Sequence, residues 1–248
     1  MAELLFEHRT PTITIHLARY APNLAMPRHA HASHGISVVL AGTLTEEAHH
    51  HTATPSVGWT VVKPARTFHE NHFGREPVTL LGLTFAESPE PERSDAWRWI
   101  DSARTWRAGL RLMRGVRRGE FHEDDLTEFL ATLHHMRVRG REPWLARVKD
   151  ALDDISSRRS VRELAADADV HPVYLARCFR AAFGVSLREY RQIAQVRRAT
   201  HFVIGTRRSL SEIAHDCGFA DHSHMCRAFR IVAGTNPASL RAVDSAVD

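Results

Sequence analysis

Cysteine is scarce in this chain of 248 residues: the three present, Cys178, Cys217 and Cys226, all fall late, and none forms a Cys-x-x-Cys pair. A disulfide framework is therefore not what holds the fold. Also lacking is any apolar run near the roughly 18 residues that a membrane span needs, and residues 1–10 show no basic segment leading into an apolar stretch. The chain is expected to be cytoplasmic and to meet no membrane. It has no Gly-rich phosphate loop, no Ser/His/Asp order and no paired carboxylates of the kind that announce catalysis. What remains is ordinary, with 43% hydrophobic and 25% charged residues, enough for a packed core in each of two modest domains.

The formal charge of +4 is unevenly placed. Residues 144–241 carry 16 Lys and Arg against 10 Asp and Glu, whereas residues 1–141 carry 17 against 16. A polyanion would meet the C-terminal part.

The first 85 residues read as strands. Segments 12–17 (TITIHL), 36–40 (ISVVL), 59–62 (WTVV) and 78–81 (VTLL) are rich in β-branched residues, with turn signals at 41–42, at Pro55, Gly58 and Pro64, and across 74–77. Short strands at this spacing point to a sandwich or barrel. Two prolines and two glutamates within 88–92 mark a junction. From residue 95 to about 138 the period turns helical, with Trp99, Trp106, Leu110 and Met113, then Leu126, Phe129, Leu130 and Leu133, each set on one face. Two helices joined near Gly119 fit, either capping the sheet or pairing with a second chain. With a further linker at 140–143, the expected architecture is α+β and multidomain: a sheet domain over 1–88, a helical connector over 89–141 and an all-α domain over 142–248.

The last part resembles itself. Segment 160–165 (SVRELA) matches 209–214 (SLSEIA) at an offset of 49, and Arg177, Phe179, Arg180 and Gly184 match Arg227, Phe229, Arg230 and Gly234 at an offset of 50. A repeat of this kind is one supersecondary unit used twice. Each copy opens with Ser followed three residues later by Glu, a capping box. Each then has a buried pair, Leu164-Ala165 or Ile213-Ala214, and a turn at Asp169 or Gly218 that requires positive φ. A second helix starts near Pro172 or Asp221 and returns Leu175 and Phe179, or Met225 and Phe229, to the core. This is a helix-turn-helix. Facing out near the start of its second helix are Val173, Tyr174, Ala176 and Arg177 in the first copy, and His222, Ser223, Cys226 and Arg227 in the second. Arg at such a place can donate twice to guanine, His and Ser can meet base edges or phosphates, and Val or Ala can contact a thymine methyl. Arg180, Arg230, Arg197, Arg198, Arg207 and Arg208 are candidates for phosphate contact, which sets register without reading sequence. Cys178 and Cys217 are expected to pack as small hydrophobes.

Residues 209–241, SLSEIAHDCGFADHSHMCRAFRIVAGTNPASLR, resemble the signature of AraC-type transcription regulators, on Ile213-Ala214, Gly218-Phe219, Phe229-Arg230, Gly234 and 237–241 (PASLR). The resemblance covers about 144–241. It implies two helix-turn-helix units joined by a long helix over about 186–205, which sets the recognition helices roughly one DNA turn (~34 Å) apart. The family's usual Ser-Pro at the start of that helix is Ser186-Leu187 here, which alters only how firmly the helix begins.

In the sheet domain, 28–35 (RHAHASHG) and 64–69 (PARTFH) carry histidines in a His-x-His pattern followed by a third. Alternation along a strand would put His29 and His31 on one face, and His69 from another strand would complete three imidazoles for a divalent metal such as zinc or iron. The arrangement resembles a cupin. Aligned on Gly42, the cupin glutamate position falls at Gly35, so the fourth ligand is missing, and His34 or a water is the next candidate. A cupin-like sensor domain can instead take a small organic effector, which His29, His31, His34 and His69 would line. The 49–51 His run reads as a solvated turn. A cupin enzyme, a dioxygenase or isomerase, would use the same histidines but leaves the doubled module unexplained. The expected partners are double-stranded DNA, a small-molecule or metal effector, a second copy of the chain and RNA polymerase.

Overall fold

The structure is a computed structural model and describes residues 2–87, 97–134, 143–154, 157 and 159–241. The junction expected at 88–92 and most of the linker expected at 140–143 lie outside the described residues.

The four apolar segments become β2 (Ile13–Tyr20), β4 (His34–Ala41), β7 (Trp59–Lys63) and β9 (Val78–Phe85). With β1 (Ala2–Arg9) and β10 (Arg98–Asp101) they form a six-stranded sheet in the order β1-β2-β9-β4-β7-β10, and the named pairings are antiparallel. A smaller sheet, in the order β3-β8-β5-β6, is made of β3 (Ala25–His29), β5 (Leu44–Ala48), β6 (His51–Ala53) and β8 (His69–Phe73). The result is a two-sheet sandwich.

The centre of the large sheet is buried on both faces, which is why β4 and β9 read as nearly continuous apolar runs rather than as alternation. Ile36, Val38 and Leu40 of β4 belong to a core shared with the helices, while Val39 turns inward to a small cluster with Leu44, Phe73, Val78 and Leu80. That inner cluster fills only part of the sandwich. The rest of the interior includes buried polar groups, Glu46, His69 and Asn71 among them.

One segment departs from the expected pattern. Residues 98–101 are strand β10, paired antiparallel with β7, although the sequence places Trp99 on a helical face. Cross-strand pairing and a hydrogen bond from Trp99 Nε1 to the buried Glu46 carboxylate, 2.8 Å, override the weak local period. The helical pattern begins instead with α1 (Ala103–Arg117), capped by Ser102, and continues in α2 (Glu123–His134) after Gly119, whose φ is 72°. Trp106, Leu110 and Met113 are buried as expected, as are Phe129 and Leu133.

Beyond the connector come α3 (Pro143–Asp153), α4 (Val161–Asp167), α5 (Pro172–Phe183), α6 (Leu187–Gly205), α7 (Leu210–Asp216), α8 (His222–Ala233) and α9 (Pro237–Arg241). Among the described residues no helix is long and apolar enough to cross a membrane.

The helical part is docked on the sandwich along α6 and α1. Arg197 of α6, 8% exposed, donates to Asp101 at 3.0 Å and to the carbonyl of Gly58. His201 accepts from the Gly42 amide at 3.0 Å and meets Glu76 at 2.9 Å. On the other side, Arg107, Arg114 and Arg117 of α1 donate to the carbonyls of Val232, Gly234 and Ser239 at the end of α8 and beyond it.

Candidate functional site

The two repeat copies fold into matching pairs, α4 with α5 and α7 with α8. Ser160 and Ser209 each close a capping box with Glu163 and Glu212, satisfying backbone N–H groups at the helix start. Hydrogen bonding to the Ser backbone and hydroxyl holds both glutamates below the usual carboxylate range. The turns bear Asp169 at φ 53° and Gly218 at φ 74°, in the left-handed region that both positions were expected to need. Leu175, Phe179, Met225 and Phe229 are fully buried. Gly184 and Gly234 end α5 and α8 in left-handed geometry, which frees the chain to turn away. Ser186 starts α6 through a capping box with Glu189, so a proline is not needed there.

These restraints fix what faces outward. Val173, Tyr174, Ala176, Arg177 and Arg180 are exposed on α5, and His222, Ser223, Arg227 and Arg230 on α8. Cys226 is half-buried, its sulfur 3.4 Å from His222 Nε2. Arg177 lies over the Tyr174 ring, 5.5 Å from its centroid, which pre-orients the guanidinium on the outward face. Of the other arginines, Arg197 faces the sandwich and is spoken for by Asp101, so it is unavailable to phosphate, and Arg208 is paired with Asp216. Arg180 and Arg230, in the last turns of α5 and α8, are exposed. Cys217 is buried, and burial pushes its thiol up to about 11, whereas Cys178 is only half-buried.

The second constellation lies in the polar interior of the sandwich. Register places His29 of β3 directly opposite His69 of β8. His31 lies just past the end of β3, so it joins through the turn of the chain and not by strand alternation. The three imidazoles nevertheless converge, with ligand nitrogens all within 4.8 Å of one another. Nδ1 of His29 is 2.8 Å from the Pro27 carbonyl, and Nδ1 of His69 is 3.2 Å from that of Thr67. A carbonyl only accepts, so each Nδ1 carries the proton and each Nε2 offers a lone pair. Both Nε2 atoms are buried and without a hydrogen-bond partner among the described residues. Burial, followed by the Lys63 ammonium, lowers His69 to about 4, and the same two causes lower His31. These rings are neutral at pH 7, as metal ligands must be.

His34 lines the same cavity but stands apart from this group, its Nδ1 accepting from the Ala65 amide at 3.3 Å. The cavity has a volume of about 290 Å³ and is bounded by His16, Tyr20, His29, His31, Lys63 and Asn71, among others. Around it stand groups the sequence reading missed. Glu46 is fully buried, 2.9 Å from Lys63 Nζ, and accepts from Trp99; Asn71, with its amide nitrogen turned toward Glu46, donates at 2.9 Å. The signal was present in β5, where Leu44, Glu46 and Ala48 share the inward face at period two. A carboxylate between two apolar inward positions marks a buried charge, and such a charge requires partners.

The doubled, capped and turned pairs define a helix-turn-helix domain. Residues 164–242 match the family model described as a helix-turn-helix domain. The chain is 28% identical over 95 residues to an uncharacterized HTH-type transcriptional regulator, YijO of Escherichia coli (strain K12), covering 38% of this chain and 34% of that protein. It is 29% identical over 91 residues to a second such protein, YfiF of Bacillus subtilis (strain 168), covering 37% of this chain and 29% of that one. The chain thus spans about a third of the length of the curated relatives it matches. Among solved structures, ToxT from Vibrio cholerae O395 aligns over 96% of this chain and 100% of that one, at 11% identity and a TM-score of 0.42.

Proposed function

We propose that this protein is a sequence-specific DNA-binding transcription regulator, and that the occupant of the histidine cavity sets how it engages DNA. The observation that carries the first part is the paired exposure of Arg177 and Arg227 at equivalent places on α5 and α8, backed by rigid caps and turns. The 19-residue α6 that joins the units is about 28 Å long at 1.5 Å per residue. That length suits two recognition helices entering successive major-groove segments. Arg177, Arg227, His222 and Ser223 would read base edges, with Val173, Tyr174, Ala176 and Cys226 packing beside them. Arg180 and Arg230 would hold phosphates.

The histidine site fits a divalent metal, because three imidazoles bring their ring nitrogens within 4.8 Å of one another, and the Nδ1 atoms of His29 and His69 are held by carbonyls, leaving their buried Nε2 atoms to face a cation. Such a cation would supply Lewis acidity and open coordination positions. The protein's own part is to orient His29 and His69 and to keep His31 at the solvent edge.

Purified protein titrated with fragments of its own upstream DNA, over a salt series and with excess nonspecific competitor, should bind one fragment selectively, with affinity falling steeply as salt rises. Equal binding to all fragments would contradict sequence reading. For the cavity, the protein should hold about one equivalent of metal that is lost in a His29/His31/His69→Ala variant. Retention of metal by that variant would overturn the ligand assignment.

A further inference from the structure

Strand β10 has side chains at both ends of the molecule's two working parts. Its register with β7 is regular over Arg98 to Asp101, so Trp99 and Asp101 share one face and Trp97, one residue before the strand, continues that face. Trp97 packs on His69, ring centroids 4.7 Å apart, and its buried Nε1 has no partner among the described residues. Trp97 and Trp99 are in ring contact at 6.2 Å, and Trp99 donates to Glu46 at 2.8 Å. Two residues on, Asp101 accepts from Arg197 of α6 at 3.0 Å and from Lys149 of α3 at 2.8 Å. Burial would raise the Asp101 carboxyl, but Arg197 and Lys149 outweigh it and hold it below its ordinary range.

The seat of Arg197 is built to close tolerance. Gly58, at the edge of β7, has φ 97°, and a Cβ there would stand 2.3 Å from Arg197 Nε. The linking helix is therefore held against the two neighbouring strands β7 and β10 by one guanidinium, with no side chain between.

We propose that β10 transmits the state of the imidazole site to the DNA-binding part: rings locked at His29, His31 and His69 fix Trp97, Trp99 follows through its contact with Trp97 and Glu46, and Asp101 then sets its grip on Arg197 and Lys149. This inference rests on the metal reading of the cavity given above. The bistable element is the Asp101 clamp, closed or released, and the coupling is the difference in its stability between the two states of the site. Only three residues, 98–100, separate Trp97 from the Asp101 clamp, so no long chain of contacts is invoked.

The test uses the full chain with zinc as probe, measuring bound metal and affinity for the selected DNA fragment in the wild type, Asp101→Asn and Trp99→Phe. The expected result is about one zinc in all three, a zinc-dependent change in DNA affinity of about tenfold in the wild type, typical of coupled sites, and loss of most of that change in both variants. Trp99→Phe keeps the clamp charges, so it decides the matter if Asp101→Asn fails to fold. Variants that bind zinc and respond like the wild type overturn transmission through β10 while leaving the metal site standing. Zinc bound by the wild type without any change in DNA affinity also overturns transmission alone. Absence of zinc from the wild type overturns both.

Discussion

The two helix-turn-helix units are made from the same parts, yet they are restrained differently. Each has a capping box, a left-handed turn, a fully buried Phe and a left-handed terminal glycine. Only the second is gripped by the connector: among the described residues, Arg107, Arg114 and Arg117 reach carbonyls in and after α8, which favour cations at a helix end. The first unit is tied in through α3 and α6, with the Tyr174 ring 6.2 Å from that of Trp144 and the Phe179 ring edge-on to Tyr190 at 5.4 Å. The repeat thus supplies two equivalent helix pairs, and the connector adds contacts to the second of them. Under the proposed function, a change at the sandwich would reach both units through α6 and the second also through α1.

The largest effect that bears on this equivalence is loss of a core anchor. Phe179→Ala and Phe229→Ala should each cost about 3–5 kcal/mol in chemical denaturation. A much smaller loss for one of them would show that its unit is not packed as its partner is. Next come the residues proposed to read bases. Arg177→Ala and Arg227→Ala should each weaken binding to the selected fragment by roughly 1–3 kcal/mol and relax preference at separate base pairs. A loss equal on every sequence would move that arginine to phosphate contact.

The asymmetry has its own test. Changing Arg107, Arg114 and Arg117 together to Ala should speed amide exchange in α8 and α9 while leaving α4 and α5 unchanged. Equal change in both units would erase the distinction. The smallest effect lies in the turns. Asp169→Gly should stabilise slightly, by up to about 1 kcal/mol, since Asp pays for a left-handed conformation that Gly adopts freely. Gly218→Ala should destabilise by a similar amount, read as opposite shifts in melting temperature.

The helical part was legible because its signals are local. Ser160 and Ser209 each stand three residues before a glutamate, and Asp169 and Gly218 sit where the backbone must turn. The sandwich was legible only in part. Strands buried on both faces announced themselves, but β1, β3, β5, β6 and β8 carry mixed sequences whose strand state depends on pairing. His29, His31 and His69 were visible through their spacing, whereas Glu46, Lys63, Asn71 and Trp97 meet across strands far apart in sequence. Arg197 shows the same limit from the other side, since an arginine on an amphipathic helix looks like a phosphate contact until Asp101 is found against it.

The most direct test of the two-headed reading is a footprint of the full chain on its selected DNA fragment, resolved to single bases. The account predicts two protected major-groove segments about one helical turn, ~34 Å, apart, with Arg177→Ala erasing protection in one and Arg227→Ala in the other. A single protected segment, or protection that both substitutions weaken alike, would contradict it.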